Sequence, residues 1–325
     1  MTAATMKQVM VTANRRAELV DAPVKRDPLA PDELAGPTVA TAVSAGTELA
    51  MCYAAKDGFP RQVGYAATFR VEQAGEGVSD VAAGDVVFCM GPHASWQRQV
   101  RANVVPVPAA LPPEQAVFAR LMGVSMATLS TTTARPPGKV LVTGLGPVGH
   151  LAAKLFAACG YDVTAVDPIA ARRDMLAAAG RCRVETAVPA DLADQVDLVV
   201  ECSGHEQAVL DGCKVVRKRG EVALVGVPWR ACSDMLGHAL LHAVFHRYAV
   251  VRSGWEWELA RRPADFRTGS IFANYAAALA WLAEGRVSVA GLYRKVAPAD
   301  CQQVYDDLFG GRFPALAAVF DWTAP

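Results

Sequence analysis

The stretch Val140–His150, VLVTGLGPVGH, constrains this chain more than any other. A β-branched run ends in Gly144-Leu145-Gly146-Pro147-Val148-Gly149 and passes directly into an alanine-rich helical pattern, LAAKLFAACG. Strand, glycine turn and helix in that order form a site for a phosphorylated nucleotide. Gly144 permits the tight turn, Gly146 lets the backbone approach a pyrophosphate, and Gly149 lets the helix pack closely on the sheet, with Pro147 and Val148 inside the same turn. The first N–H groups of the helix and the positive end of its dipole then face the phosphates.

A glycine turn alone is weak evidence, but its usual companion follows. Tyr161–Val166 reads as the next strand and Asp167 stands at its end. A carboxylate there accepts both ribose hydroxyls of adenosine and repels a 2′-phosphate, which favours NAD(H) over NADP(H). The plainer reading is that Asp167 caps the helix starting near Pro168. Arg172 and Arg173 come next and can serve a 2′-phosphate, so NADP(H) remains the minor option.

With 325 residues the chain has room for two domains and a substantial core. Its formal net charge is zero, which gives no electrostatic footprint for nucleic acid or an anionic membrane. The start, MTAATMKQVMV, lacks a basic region followed by an apolar core, and no apolar run approaches bilayer length, so a cytoplasmic protein is expected. The eight cysteines are scattered without a CxxC pair, as small core residues of a reducing compartment would be.

Taken in order, residues 6–108 are β-rich, with short strands such as TVATAVS, TFRVEQA and DVVFCM between Gly, Pro and Asp turns, which suggests a compact barrel. A helical pattern from Pro112 leads to an alternating α/β section. There QVDLVVECSG and EVALVGVP are apolar strands ending in glycine, which places Ser203, Gly204, Gly226 and Val227 at the strand ends where parallel sheets bind ligands. YAVVRSG reads as a last strand, and the helical NYAAALAWLAEG returns the chain to the first domain. The expected division is 1–120 with 255–325, and 121–254 as the doubly wound parallel-sheet domain.

This order of motifs resembles the medium-chain dehydrogenase/reductase superfamily, in particular its zinc-type alcohol dehydrogenase branch. The resemblance rests on Val43-Ser-Ala-Gly46-Thr47-Glu48-Leu49, Gly64-Tyr65-Ala66, the Gly75–Val87 pattern and GLGPVG. It implies an α/β protein with a GroES-like β-barrel catalytic domain, a Rossmann domain, a cleft between them and a homodimer formed through the Rossmann domain. Zinc members carry a cysteine where this chain has Ala45, Gly-His-Glu where it has Gly64-Tyr65-Ala66, and a further ligand near Leu121–Ser125, where no Cys, His or Asp stands. Alanine cannot bind a metal, and the cysteine-rich lobe that would follow Val87 is absent, so neither zinc site is expected. A shorter resemblance, Gly46-Thr47-Glu48 with Gly64-Tyr65, is to bacteriochlorophyllide dehydrogenases, over too few residues to name a substrate.

Without zinc, a hydroxyl or imidazole must manage the proton that accompanies hydride transfer. By the resemblance Thr47 matches the proton-relay residue and Tyr65 takes the place of the missing histidine, as a proton donor or as filling for the vacated space. His93 follows the strand GDVVFCM and is a candidate acid/base. Glu48 either anchors a polar substrate or pairs within its domain. Ser125 is a candidate nicotinamide or substrate contact. If Arg252–Glu258 is extended, Trp255 and Trp257 share one face and wall a substrate pocket or a dimer contact. His238, His242 and His246 fall on one helix face, as a surface or interface stripe rather than a metal site. The combined expectation is a zinc-independent oxidoreductase moving hydride between NAD(H) and an alcohol or carbonyl of a small or specialised metabolite. An NAD(P)H-dependent enoyl or imine reductase and a non-catalytic nucleotide-binding protein are the alternatives.

Overall fold

A computed structural model describes residues 5–24, 27–267 and 269–323. The chain forms two compact units. The first takes the chain up to Arg120, Tyr275–Glu284 and the residues from Val289 on; the second takes Leu121–Asn274 and Gly285–Ser288. The chain returns to the first unit at Tyr275, not at 255. Residues 255–274 stay with the second unit, where Gly254 N–H bonds Leu224 C=O at 2.8 Å and Glu258 pairs with Arg252 of that unit's last strand at 3.4 Å.

The second unit is a six-stranded sheet in the order Arg183–Glu185, Asp162–Val166, Lys139–Thr143, Val196–Glu201, Val216–Leu224, Val250–Ser253. Every neighbouring pair is parallel. In chain order this is 3-2-1-4-5-6, the doubly wound Rossmann arrangement, whose order reverses between Lys139–Thr143 and Val196–Glu201. The strands are β-branched runs because both of their faces are covered. Val140, Val142 and Val200 join Phe156 and Ala153 on one face; Leu141 and Val199 join Leu210 and Cys213 on the other. That alternation is the two-residue period of a strand, and it seats the helix Pro147–Ala158 on one side and Glu206–Val215 on the other.

The first unit is built around the strand Glu33–Ala42. Antiparallel partners flank it: Ala67–Arg70, Trp96–Val100 and the late strand Ala317–Asp321, with Val319 opposite Ala42. A separate three-stranded sheet holds Arg16–Pro23, Thr5–Ala13 and Arg61–Gln62. The turn after Glu33–Ala42 winds into the short helix Ala45–Glu48, so Ser44, Thr47 and Glu48 lie within one turn of each other. No helix among the described residues is long and apolar enough to cross a membrane.

Candidate active site

In the second unit the glycine turn takes the geometry its sequence implies. Gly144 has φ +81°, and a Cβ there would sit 2.8 Å from the Ser203 backbone. A Cβ at Gly149 would stand 1.8 Å from Gly144 O, so the helix could not approach the strand with any side chain at that position. Gly146 differs, with open space around it, the kind of gap a pyrophosphate needs. Gly146 is also the N-cap of Pro147–Ala158, with Pro147 at the first helical position and Val148 behind it. Turn and carboxylate together therefore fit a dinucleotide.

Asp167 ends its strand only 2 % exposed. Its Oδ2 accepts Leu145 N–H at 2.7 Å and its Oδ1 accepts Ile169 N–H at 2.8 Å. The Arg172 guanidinium lies 3.4 Å from Oδ2, and Arg173 turns instead to the carbonyls of Asp167 and Pro168. Asp167 thus does cap the chain that follows it, yet a carboxylate has about four acceptor sites, so capping and ribose binding are compatible.

Ser203 and Gly204 follow the strand Val196–Glu201, and Gly226 and Val227 follow Val216–Leu224. A Cβ at Gly226 would lie 2.3 Å from Gly204 N, so the two strand-end turns pack directly together. A residue that sequence reading passed over organises them. Glu201 is fully buried, its Oε1 accepts Ser203 N–H at 2.7 Å and the Ser203 hydroxyl, and both carboxylate oxygens lie 3.1 Å from Gly204 N. Burial raises its pKa against these hydrogen bonds. A charged residue closing the apolar run VDLVVE was the available signal. Ser125 is also buried, with its hydroxyl 3.5 Å from Val148 C=O, so it packs on the turn rather than facing outward.

In the first unit the structure gathers Ser44, Thr47 and Tyr65. The Tyr65 hydroxyl donates to Ser44 Oγ and is hydrogen-bonded by Thr47. The Arg120 guanidinium carbon lies 4.8 Å from the centre of the Tyr65 ring. Burial pushes the phenol pKa up, with the two hydroxyl contacts and Arg120 pulling the other way, so Tyr65 keeps its proton at neutral pH. Ser44 was not singled out from the sequence as a site residue, although it lies within the Val43–Leu49 motif.

His93 and Glu48 take a different part from the one expected. His93 is fully buried; Nδ1 meets Thr41 Oγ1 at 2.7 Å and Nε2 meets Glu48 Oε2 at 3.1 Å. Trp322 Nε1–H can only donate, and it donates to Thr41 Oγ1 at 3.0 Å, leaving the Thr41 proton for His93 Nδ1. Nε2–H then donates to Glu48. With both nitrogens occupied and no exposure, His93 has no atom to offer a substrate. Glu48 likewise pairs inside its domain: besides His93 it accepts the Tyr305 hydroxyl and, through Oε1, Ser44 N–H at 2.8 Å. It anchors the turn that carries Ser44 and Thr47, not a substrate.

The stretch around Trp255 and Trp257 is not extended. Glu256–Glu258 is a 3-10 turn in which Glu256 is buried and both tryptophans are exposed, so the alternation of faces expected from a strand does not hold. His238, His242 and His246 do share one face of the helix Gly237–Arg247, with ring centres 6.2 and 4.0 Å apart in succession. Among the described residues no three His, Cys, Asp or Glu side chains converge as a metal site, and all eight cysteines are free.

Residues 147–255 match the family model for zinc-binding dehydrogenases. Glucose 1-dehydrogenase 1 of Caldivirga maquilingensis is 26% identical over 230 residues, 59% of this chain and 65% of that protein, so the match spans slightly under two thirds of the relative. Galactitol-1-phosphate dehydrogenase from Escherichia coli superposes with a TM-score of 0.80 at 17% identity, covering 97% of this chain and 99% of that one. Acetophenone reductase from Geotrichum candidum, solved with NAD, gives 0.80 at 16% identity over 99% and 98%. A zinc-binding dehydrogenase from Sinorhizobium meliloti bound to NADP gives 0.78 at 16% over 98% and 99%. Over residues 147–255 the chain is thus similar to zinc-binding dehydrogenases, and its fold is that of the dehydrogenase and reductase structures it superposes on.

Proposed function

We propose that this protein is a zinc-independent oxidoreductase that moves hydride between NAD(H) and the alcohol or carbonyl group of a small or specialised metabolite. The observation that carries this reading is the hydroxyl cluster Ser44–Tyr65–Thr47; by the resemblance, Ala45 and Tyr65 take positions that hold metal ligands in zinc members. The donor set there does not fit zinc. Ala45 has no ligand atom, the Tyr65 proton is given to Ser44, and the nearest carboxylate, Glu48, is turned to His93, Tyr305 and Ser44 N–H. The matched segment 147–255 contains neither Ala45 nor Tyr65, so its family description bears on the nucleotide domain alone.

The dinucleotide, when bound, supplies or takes the hydride. The chain's own residues handle the proton. In carbonyl reduction Tyr65 gives its phenolic proton to the oxygen that gains charge, and the resulting phenolate is held by the hydroxyls of Ser44 and Thr47 beside the Arg120 guanidinium. In the opposite direction the same phenolate takes the proton of an alcohol. Asp167 favours NAD(H), because a 2′-phosphate would meet a carboxylate already fixed by two backbone N–H groups. We further propose a cytoplasmic homodimer that takes a small-molecule substrate and neither nucleic acid nor membrane as partner.

The test is nicotinamide absorbance in two panels: NAD⁺ with secondary alcohols and polyols, and NADH or NADPH with enones and cyclic imines. Turnover in the first supports this reading. Turnover only in the second makes the enzyme an enoyl or imine reductase, and NADH binding with no turnover in either makes it a non-catalytic nucleotide-binding protein.

A further inference from the structure

His150 is the residue after Gly149, in the first turns of a helix whose one other polar side chain is Lys154. It is fully buried beside Leu151, Ala152 and Ala153, and its Nε2 has no hydrogen-bond partner. Leaving a buried polar atom unpaired costs about 1–3 kcal/mol, and a leucine would fill the space without that cost. What the imidazole adds is on its other side: Nδ1 lies 2.9 Å from Leu145 C=O, inside the glycine turn.

We propose that His150 is a positioning residue for the dinucleotide, its Nδ1–H holding the Leu145 carbonyl so that Gly146 N–H is turned outward. A trans peptide is planar and its C=O and N–H point in opposite directions. Because Leu145 C=O points to a buried ring, the Gly146 N–H of the same peptide points away from it, at the glycine with open space around it. The preceding peptide is gripped as well, since Leu145 N–H is held by Asp167 Oδ2 at 2.7 Å. The two peptides flanking Leu145 are therefore locked before any ligand arrives, one by the carboxylate proposed for the ribose and the other by His150. Burial also pushes the imidazole pKa down to about 4, which keeps it neutral with a single N–H for the carbonyl. This inference rests on the dinucleotide reading of the turn.

The experiment is NADH fluorescence titration of the full chain as wild type, His150→Leu and His150→Asn, each checked for folding by thermal melting. The Asn side-chain amide reaches the place of Nδ1 and can donate to the same carbonyl. We expect the Leu variant to bind about tenfold more weakly, the ratio of one lost hydrogen bond. The Asn variant should stay within about threefold of wild type. Equal binding by wild type and a folded Leu variant overturns the role of His150 and leaves the cofactor reading standing; no NADH binding by wild type overturns the cofactor reading itself. Nitrogen NMR of the wild-type ring decides independently of any variant: a neutral Nδ1–H tautomer supports the proposal, and an Nε2–H tautomer refutes it.

Discussion

Glu48 in the first unit and Asp167 in the second are both 2 % exposed, yet they are satisfied in opposite ways. Asp167 is held by backbone N–H groups two residues after it and at Leu145 in the neighbouring turn. Glu48 is held mainly by side chains far away in the chain, His93 and Tyr305, with Ser44 N–H as its one local contact. Backbone amides fix a carboxylate while leaving acceptor sites for a ligand's hydroxyls. At Glu48 the partners are instead groups that folding brings in from distant parts of the chain, His93 and Tyr305, together with Ser44 N–H, and they hold it inside its unit. One carboxylate is therefore suited to binding and the other to holding its unit together.

The sharpest way to break this contrast is to remove Glu48. Glu48→Ala leaves His93 Nε2 and the Tyr305 hydroxyl buried without this partner and takes the acceptor from Ser44 N–H, a loss of about 3–5 kcal/mol. Urea unfolding of the first unit should show it, and a variant as stable as wild type would end the account of Glu48 as a keystone. On the other side of the contrast, His150 titrates with a pKa of about 4, against an ordinary value of 6.5, with Lys154 and Asp167 nearby. Its pKa is lowered by folding, so the unfolded chain takes up the proton first as pH falls. The stability of the neutral ring is complete above about pH 6.5 and is lost down to about pH 4, roughly 3 kcal/mol in all. Stability curves of wild type and His150→Leu should diverge across that window; parallel curves would show that the ring is not neutral and buried.

Tyr65→Phe probes what Glu48 supports. It keeps the ring over Arg120 and removes the hydroxyl given to Ser44, so turnover should fall about a hundredfold while NADH affinity is unchanged. Unaltered turnover would move proton transfer to Thr47 or bound water. The smallest effect is expected at Asp167. Asp167→Ala should weaken NADH binding about tenfold and NADPH binding far less, since charged hydrogen bonds contribute about 1.5–3 kcal/mol and only the unphosphorylated ribose makes them. Equal losses for both dinucleotides would reduce Asp167 to a cap, as Glu48 is to its own turn.

The two carboxylates also differ in how far they could be read from the chain. Asp167 was legible because its strand, its position after the glycine turn and its helix lie within one βαβ unit. Glu48 was legible only as a motif residue with two open roles. His93 read as an acid/base because it follows the strand GDVVFCM, whose end lines the substrate cleft in the family the chain resembles; here Thr41, Phe320 and Trp322, which no local pattern links to it, meet its ring or its hydrogen-bond partner. Trp255 and Trp257 were read with a strand's period, but the 3-10 turn at Glu256–Glu258 rotates them differently.

The sequence by itself determined the nucleotide unit: the alternation of apolar strands and helices, the glycine turn between strand and helix, and the acid after the next strand. Those features are local, because strand period, helix start and turn chemistry act over a few residues. Only the tertiary structure decided that Ser44, Thr47 and Tyr65 share one set of hydrogen bonds, that His93 is enclosed, and that Glu201 and His150 steady the turns of the nucleotide unit. The physical reason is desolvation. Whether a polar side chain is a ligand or a strut depends on which partners remain once water is excluded, and those partners come from elements the chain brings together only when it folds.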